Sequence, residues 1–364
     1  MYLSACTANL KILFFHAKIQ FVWFVSKFRA QIYLYVKKCL YICIQSNHSN
    51  RTKVSMEIAH LSSISHRILV VGSSNTDMVV KTKTLPRPGE TVLGGAFLMN
   101  AGGKGANQAV AAARLGGEIS FICKTGRDIF GQQAVQLFQN EGIDTSYIFT
   151  DPDHPSGVAL ITVDEQAENC IAVASGSNAH LTPADIISVE GAIDEAGYVL
   201  MQLEIPIETV EYVADAAYGK GKKVILNPAP AQSLSNTLLS RLYAITPNET
   251  EAAIISGVAI VDEPTAIEAA RIIAERGVPH VIITLGAQGA LIYSGGQATL
   301  IPAPKVEAVD TTAAGDVFNG AFTLALSEGA DLVEAVRFAC KAAAISVTRI
   351  GAQASAPYRY ELTE

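Results

Sequence analysis

The sequence predicts an α/β fold: a mostly parallel sheet covered by helices on both faces, with a small β-sheet that acts as a lid. Three observations support this prediction. Short, nearly continuous apolar runs alternate with helix-like segments from Arg67 onward, which is typical of parallel strands buried on both faces. Polar residues follow several of these runs, where ligands bind in such sheets. Two segments, 91–98 and 157–175, break the alternation and resemble antiparallel strands, so we assign them to the lid.

The predicted elements follow in order along the chain. The first strand, Arg67–Val71, ends in the turn-prone sequence Gly-Ser-Ser-Asn. A helix of small residues over Lys104–Leu115, a strand over Ile119–Cys123 and a helix over Gly131–Glu141 come next. Four more apolar runs, each followed by a turn and a helix-like segment, complete the predicted sheet: 198–203, 223–226, 243–246 and 281–285. The last predicted helix follows residue 316 and is apolar on most faces, so we expect it to be buried.

Composition limits the classes of function. The 364 residues are enough for one large α/β domain or two ordinary ones, and 49% hydrophobic residues predict a substantial core. A net charge of −7 gives no reason to expect nucleic acid or an anionic membrane as a partner. Three cysteines of the body, Cys123, Cys170 and Cys340, are widely spaced and indicate neither a zinc site nor a disulfide framework. We therefore expect a reducing cytoplasm.

The first 66 residues differ from the rest in charge. They carry eight Lys and Arg residues and one acidic residue, whereas residues 67–364 have 19 basic and 33 acidic residues. Lysines interrupt their apolar segments, so no run approaches the roughly 18 apolar residues that a membrane helix needs. Three interpretations stay open, in this order: translation that starts at Met56, an organellar transit segment, and a membrane anchor. We place residues 1–66 outside the fold and assign residues 67–364 to the folded domain.

The segment VDTTAAGDVFNG, residues 309–320, runs into the last predicted helix. A buried helix N-terminus collects unpaired N–H groups and the positive end of the helix dipole, which together bind anions. Ala314 and Gly315 have almost no side chain, so a phosphate can approach their backbone. Asp316 stands beside this anion site, where it can act as a base. Phosphoryl transfer to an alcohol requires this combination; the alternative is that Asp316 only caps a core helix.

Polar residues of three other segments suit a sugar. Residues 100–108, NAGGKGANQ, place a Gly-rich turn before a helix and match neither the Walker A nor the GxGxxG pattern. Asn107 offers both a donor and an acceptor, which suits a polyol. Asn75 and Asp77 follow the first strand, where contact with sugar hydroxyls and an ordinary Asx-turn are both open interpretations. Glu204 follows a later strand and is either a ligand contact or a simple surface residue.

Two further segments suit a nucleotide and its metal ion. Asn248 and Glu251 enter a helix from a strand end. Helix capping is one interpretation of them, and a water-mediated contact to Mg²⁺ is the other, because Mg²⁺ keeps much of its hydration. The segment from Thr284 to Gly289 is a strand end followed by a glycine turn, which is a generic signal for a loop that passes a nucleotide.

These motifs, taken together, resemble the ribokinase/PfkB family of sugar kinases. The resemblance rests on the order and separation of the GGKGANQ loop, the N-x-x-E element at 248–251 and the D-T-x-x-A-G-D segment at 310–316, and it runs from about Arg67 to Pro357. It implies a doubly wound α/β domain whose β-sheet lid is also the clasp of a homodimer. It further implies ATP-dependent phosphorylation of the 5-hydroxyl of ribose, with Asp316 as the base and the backbone at Ala314 and Gly315 as the anion hole.

The resemblance also implies the ligand contacts, which fall into three sets. The ribose-contacting positions would be Asp316 with Asn75, Thr76, Asp77, Gly103, Lys104, Gly105, Ala106, Asn107 and Glu204. The ATP-contacting positions would be Asn248, Thr284, Leu285, Gly286, Ala287, Gln288, Gly289, Gly315, Asp316 and Cys340. Glu251 would hold Mg²⁺ through water, and an activating K⁺ would be bound by Asp310, Thr312, Ser346, Arg349, Gly351 and Ser355, several through backbone oxygen. Two positions depart from the family pattern: Ala313, where glycine is frequent and alanine fits if φ is negative, and Cys340, where a polar neighbour of the adenine is expected.

Three alternatives to a ribose kinase remain. The nearest is a family kinase that acts on another sugar or on a nucleoside, which aromatic residues for base stacking would favour. The second is a non-catalytic sugar-binding protein, although pure binding needs neither Asp316 nor the anion loop. The third, an NAD-dependent oxidoreductase, is disfavoured because no GxGxxG follows the first strand.

Overall fold

A computed structural model describes residues 65–166 and 168–362 of the chain. Our interpretations of residues 1–64 therefore lie outside the described residues. Among the described residues, no helix has both the length and the apolar character that crossing a membrane requires. Strand β1 (Ile68–Val71) is the first element after residue 65 and lies in the interior of the main sheet.

The main sheet has nine strands. From one edge to the other they are β13 (Gln297–Ile301), β12 (Ala290–Ser294), β11 (His280–Thr284), β10 (Ala244–Ile245), β9 (Lys223–Leu226), β8 (Tyr198–Met201), β1, β4 (Ile119–Gly126) and β5 (Ile148–Asp151). Neighbouring strands from β11 to β5 are parallel, and β12 and β13 join the edge in antiparallel pairs. Val71 pairs with Ile122 of β4 and Met201 of β8, so β1 and β8 end at the same level, whereas β4 continues to Gly126.

Helices cover both faces of this sheet. In chain order they are α1 (Lys104–Arg114), α2 (Ile129–Asn140), α3 (Pro183–Ser188), α4 (Gly191–Glu195), α5 (Ile207–Gly219), α6 (Asn236–Leu239), α7 (Glu249–Ser256), α8 (Glu263–Glu275), α9 (Ala314–Ser327) and α10 (Leu332–Ser346). Ile68 and Val70 of β1 pack in the cluster that contains α1, α9 and α10, whereas Leu69 and Val71 pack in the cluster of α5 and α8. The predicted α/β fold with helices on both faces is confirmed.

Local side chains set several helix boundaries. Asp128 accepts a hydrogen bond from the Gly131 N–H and begins α2 two residues earlier than the apolar pattern indicated. Gly257 directly follows helix α7. Its φ of 79° is left-handed, as is common one residue after a helix. The predicted helix over 104–115 and the strand over 223–226 agree with α1 and β9.

A second sheet has four strands in the order β3 (Phe97–Gly102), β2 (Asn75–Lys81), β6 (Gly157–Val163) and β7 (Asn169–Ala174). The hairpin β6–β7 lies within the predicted lid segment 157–175. The strand expected over 91–98 is instead β3, because its pairing with β2 runs from Phe97 opposite Val80 to Gly102 opposite Asn75. Asn75 and Asp77, for which an Asx-turn is one interpretation of the sequence, lie in strand β2, because pairing with both β3 and β6 satisfies the backbone groups of residues 75–81.

Candidate active site

A cleft of about 200 Å³ lies at the carboxyl ends of the parallel strands. Polar residues that directly follow strands reach it: Asn227 after β9 and Thr246 after β10, while Thr284 is the last residue of β11. Six of the predicted site residues line the cleft with Asp316: Lys104, Asn248, Glu251, Thr284, Ala314 and Gly315. Strand ends and the N-terminus of α9 therefore meet at one place, as expected for ligand binding in such a sheet.

Asp316 is the third residue of α9 and is only 6% exposed. It does not cap the helix, because Ala313 holds the N-cap position, so the interpretation of Asp316 as an N-cap is wrong. Its Oδ2 accepts from Asn107 Nδ2 at 2.9 Å, and its Oδ1 accepts from Gln108 Nε2 at 3.0 Å. Burial raises the pKa of Asp316, while the Lys104 ammonium and the two amide donors act in the opposite direction.

Ala313 has a φ of 59° and a ψ of 12°, which is the left-handed region. The condition under which alanine fits easily there, a negative φ, is therefore not met. The Ala313 carbonyl accepts from the Val317 N–H at 2.9 Å and so begins the hydrogen bonding of α9. An alanine in this region costs roughly 1–2 kcal/mol that a glycine would not. The strain lies at the first residue of the turn formed by residues 313–316, which we call the anion turn.

The first turn of α9 offers the N–H groups of Gly315 and Asp316 to the cleft, because helix geometry leaves them without intrahelical partners. The Ala314 N–H instead donates to the Thr311 carbonyl at 3.2 Å, so Ala314 contributes its small side chain rather than a donor. A Cβ added to Gly315 would meet no heavy atom within 4 Å. An anion can therefore approach this backbone closely.

The Gly-rich loop before α1 lies against the strand end of β1. A Cβ on Gly103, whose φ is 90°, would stand 2.7 Å from the Asn75 nitrogen, and one on Gly105 would stand 2.6 Å from the Ser73 nitrogen. Glu204 is not a simple surface residue, because its Oε2 accepts from the Ser73 hydroxyl and from the Lys104 N–H. This packing requires glycine at positions 103 and 105 and brings the loop to the sheet.

The second sheet, β3-β2-β6-β7, is the predicted lid, and we call it the lid sheet. Its strand β2 carries Asn75 and Asp77. Burial, together with the nearby charges of Glu204 and Asp316, raises the pKa of Asp77 to about 6, while Lys104 acts in the opposite direction. Asn75 accepts from the side chain of Asn178, which also bonds the backbone of residue 74. Asn178 lies in a 3₁₀ helix after the lid, and no sequence pattern pointed to it.

Asn248 and Glu251 form a capping box at the start of α7. The Asn248 side chain accepts from the Glu251 N–H at 2.8 Å, and Glu251 Oε2 accepts from the Asn248 N–H at 2.9 Å. The capping interpretation is therefore confirmed, while both side chains also line the cleft. Burial raises the pKa of Glu251, whose residue is 7% exposed. Across residues 65–166 and 168–362, no group of three or more His, Cys, Asp or Glu side chains is placed to hold a metal ion.

The other predicted ATP positions follow Thr284. Residues Gly286–Gln288 form a 3₁₀ turn, and Gly289 has a φ of 106° with the Ile301 carbonyl only 2.0 Å from where its Cβ would be. Leu285 is 7% exposed. Cys340 lies on α10 among apolar core residues and does not line the cleft, so its contact with an adenine stays a prediction.

The predicted potassium residues lie behind the anion turn. The two oxygens of Asp310 accept from the backbone N–H groups of Thr312 and Gly351, each at 2.9 Å. Burial acts to raise the pKa of Asp310, but these hydrogen bonds hold it below its usual range. Ser346 and Ser355 are buried and bond neighbouring backbone carbonyls, whereas the Arg349 side chain is paired with Glu361. The structure thus joins the 310–312 turn to the 346–355 segment through Asp310.

The structure adds polar residues that the sequence reasoning missed. Their positions give a signal for two of them, since Asn227 and Thr246 directly follow strands. Asn319 lies one helical turn after Gly315 and donates to its carbonyl at 2.8 Å, a contact that the helical period indicates. The side chains of Gln108 and Gln202 are fully buried, and only the folded structure shows their contact.

Comparison with known proteins gives a consistent result. Residues 65–359 match the sequence model of the pfkB family carbohydrate kinases. A ribokinase of Haemophilus influenzae is 47% identical over 297 residues, which cover 82% of this chain and 97% of the relative. A deoxyribokinase of Salmonella typhi is 37% identical over 291 residues, or 80% of this chain and 95% of the relative. The structure of an Arabidopsis thaliana ribokinase complexed with ribose and ATP is 31% identical, with a TM-score of 0.77 over 82% of this chain and 97% of that one.

Proposed function

Because the chain belongs to the pfkB family of carbohydrate kinases, we propose that it transfers the γ-phosphoryl group of ATP to the 5-hydroxyl of ribose. The observation that carries this proposal is the position of Asp316, a buried carboxylate on the first turn of α9 beside the open backbone of Gly315. A base and an anion site within one helical turn suit transfer of a phosphoryl group to an alcohol. Asp316 takes the proton of the 5-hydroxyl, and the N–H groups of Gly315 and Asp316 stabilise the charge of the phosphoryl group.

Ribose binds between the Gly-rich loop and strand β2 in this proposal. Asn107 supports it directly, because its Oδ1 is buried and has no hydrogen-bond partner among the residues that the structure describes, while its Nδ2 bonds Asp316. A sugar hydroxyl would satisfy that acceptor beside the base. The other ribose-contacting residues that we propose are Asn75, Thr76, Asp77, Gly103, Lys104, Gly105, Ala106 and Glu204.

ATP binds along Asn248 and the turn after β11, with its phosphates towards the anion turn. Glu251 suits a Mg²⁺ ion held through water, since only its Oε2 takes part in the helix cap and Oε1 is left to bind water. When bound, Mg²⁺ neutralises phosphate charge during transfer. The proposed ATP-contacting residues after the strand are Thr284, Leu285, Gly286, Ala287, Gln288 and Gly289, with Cys340 near the base.

We propose a K⁺ site around Asp310. The atoms there that could coordinate the ion are all oxygens. They are those of the Asp310 carboxylate and the backbone or hydroxyl oxygens of residue 312 and of the segment 346–355. The Asp310 carboxylate already links both segments through two backbone N–H groups, so an ion there would order the anion turn without touching substrate. K⁺ should raise turnover and Na⁺ should do so poorly; equal rates with and without K⁺ would contradict the site.

We also propose a homodimer that forms through the lid sheet. Its strands expose a group of large apolar side chains, and a second copy of the chain would cover them. These residues are Val80, Phe97, Leu98, Met99, Leu160, Ile171 and Val173, with exposed fractions between 37% and 60%. The cytoplasm is the compartment that we propose, supported by the unpaired state of Cys123, Cys170 and Cys340.

A substrate panel tests the proposed function. ATP consumption is measured with ribose, 2-deoxyribose, other pentoses, hexoses and nucleosides, and the product is examined by ³¹P NMR to locate the phosphate on the sugar. We expect ribose to give the highest kcat/KM and the phosphate to be at the 5-position. 2-Deoxyribose is included because a deoxyribokinase is among the relatives. A higher kcat/KM for another compound would reassign the substrate, and no ATP consumption with any compound would favour a binding protein.

A further inference from the structure

We propose that Gln108 is the positioning residue of Asp316, holding the carboxylate of the base in one orientation without touching the substrate. This inference rests on the proposed function, since Asp316 acts as a base only if a hydroxyl is phosphorylated. Gln108 lies in the middle of helix α1, is fully buried and is absent from the cleft lining. Its contact with Asp316 is therefore a contact within the protein interior.

Three hydrogen bonds hold the side-chain amide of Gln108. Its Nε2 donates to Asp316 Oδ1 and to Asn227 Oδ1, both at 3.0 Å, and its Oε1 accepts from Gln202 Nε2. Gln202 is also fully buried, and Asn227 is 6% exposed. Rotation of this amide would break all three bonds among buried side chains, which makes its orientation costly to change.

The direction of these bonds follows from chemistry. Asn227 Nδ2 donates to the Thr246 carbonyl at 3.2 Å, and a carbonyl only accepts, so Asn227 must turn its Oδ1 towards Gln108. An ionised Asp316 also only accepts. Gln108 must therefore present its NH₂ group to both neighbours and its oxygen to Gln202. The arrangement suits a charged carboxylate better than a neutral one.

The same network reaches the anion turn from its other end. The Thr246 hydroxyl donates to Asn319 Oδ1, and Asn319 Nδ2 donates to the Gly315 carbonyl. Base and anion turn are thus fixed by one set of buried amides. Asn107 has a different role, because its free Oδ1 leaves it able to bind a ligand.

Charged groups also act on Asp316. Four of them face it from the surrounding elements: Asp77 of β2, Lys104 of α1, Glu204 after β8 and Glu251 of α7. Burial and the three carboxylates disfavour the ionised form of Asp316, whereas Lys104 and the amide donors favour it. Loss of the Gln108 donor should therefore leave Asp316 protonated over a wider range of pH.

The test compares Gln108→Met with Gln353→Met, a matched control. Gln353 is a buried glutamine that bonds the Gly102 carbonyl and does not contact Asp316. The titration of Asp316 is followed in the ligand-free protein by ¹³C NMR of labelled aspartate, with the resonance identified by its loss in Asp316→Asn. A hydrogen bond to a charged group of ordinary strength corresponds to roughly one to two pH units. We expect the midpoint to rise by that amount in Gln108→Met and to stay unchanged in Gln353→Met.

Kinetics provide the second readout. In Gln108→Met the acid limb of the kcat profile should move to higher pH with the titration, so that kcat at a pH on that limb falls roughly ten- to a hundredfold and recovers at higher pH. KM for ribose should change by less than about threefold, because a positioning residue does not bind the sugar. If the wild-type protein consumes no ATP with ribose, the proposed function fails, while the NMR titration still decides the role of Gln108.

Two further measurements test the proposal even if Gln108→Met does not fold. Gln108→Glu keeps the size of the side chain and the acceptor for Gln202 but replaces the donor, so it should raise the midpoint as well. In the wild-type protein, the side-chain NH₂ resonances of Gln108 should titrate with the Asp316 midpoint. An unchanged Asp316 midpoint in a folded variant, or Gln108 resonances that are insensitive to Asp316, would overturn the proposal.

Discussion

Two parts of the molecule differ in how their side chains are held: the N-terminus of α9 with the buried side chains behind it, which we call the α9 wall, and the sheet β3-β2-β6-β7, which we call the lid wall. On the α9 wall, Asp316, Gln108 and Asn227 are at most 6% exposed and bond one another. On the lid wall, every residue of β7 is exposed, and apolar residues of β3 and β6 face outward. The carboxylate that we propose as the base is fixed by buried polar contacts, whereas the four-stranded sheet has apolar surface that the described residues do not cover. The fixed polar side chains and the exposed apolar surface therefore lie in separate parts of the fold.

The largest expected effect comes from replacing Asp316, the proposed base on the α9 wall. Asp316→Asn should lower kcat by about two to four orders of magnitude, the usual range for loss of a general base, while ribose binding persists. Asp331→Asn is the control, because Asp331 is an aspartate at the N-terminus of α10 and asparagine also caps a helix. Steady-state turnover and ribose binding by calorimetry check both. Near-normal turnover of Asp316→Asn would place the base elsewhere.

The second effect concerns Asp77, a residue of strand β2 whose carboxyl group interacts electrostatically with Asp316 of α9. Its pKa is raised to about 6 in the folded protein, above the unfolded value near 4, so the raised pKa lowers stability as pH increases between these values. Asp77→Asn should therefore increase the free energy of unfolding by up to about 3 kcal/mol at pH 8 and by little at pH 4. Urea unfolding at the two pH values measures this difference. An equal effect at both would mean that the Asp77 carboxylate carries no burial penalty.

The third effect addresses the lid wall. Ile171→Lys places a charge on β7, where Ile171 is 53% exposed, and Ile187→Lys places one on α3, where Ile187 is 55% exposed. Burying an unpaired lysine at an interface is unfavourable, so Ile171→Lys should weaken dimerisation at least about tenfold and Ile187→Lys should not. Sedimentation over a concentration series reports the dissociation constant. Equal behaviour of the two variants would contradict a dimer through the lid.

A smaller effect concerns the strain at the anion turn. Ala313→Gly removes roughly 1–2 kcal/mol of left-handed strain but adds freedom to the unfolded chain worth about 0.4–1 kcal/mol. We therefore expect a stability gain of between about 0 and 1.6 kcal/mol by these two contributions. Ala314→Gly, one residue further into the helix, should instead lose stability. Thermal unfolding of both variants checks the signs; a loss in Ala313→Gly would show that the alanine methyl group packs favourably.

The smallest expected effect is that of removing residues 1–55. The family match begins at residue 65, after this segment. The shortened and full chains should have nearly equal melting temperatures and equal ribose-dependent ATP turnover. A shortened chain that is insoluble or several degrees less stable would show that the segment contributes to the fold.

Sequence periodicity predicted the main sheet well, because apolar runs such as 223–226 report burial directly. The Asp316 segment was also readable, since small residues before a helix indicate an anion site. Strand β2 was not predicted, because its sequence NTDMVVK is exposed in part and is defined by pairing with β3 and β6. The sign of φ at Ala313 depends on the path of the chain into α9. The contact between Gln108 and Gln202 joins residues 94 positions apart, which local patterns cannot report.

The group of charges around Lys104 has a consequence for the order in which ligands arrive. Four carboxylates, those of Asp77, Glu204, Glu251 and Asp316, surround this single ammonium. An anionic nucleotide that approaches alone meets repulsion, which dissolved salt screens. ATP without a divalent ion should therefore bind poorly at low ionic strength and better as salt is added, the reverse of a site with excess positive charge. A neutral sugar feels no such barrier, so it can enter first and shield the carboxylates from the phosphates that follow.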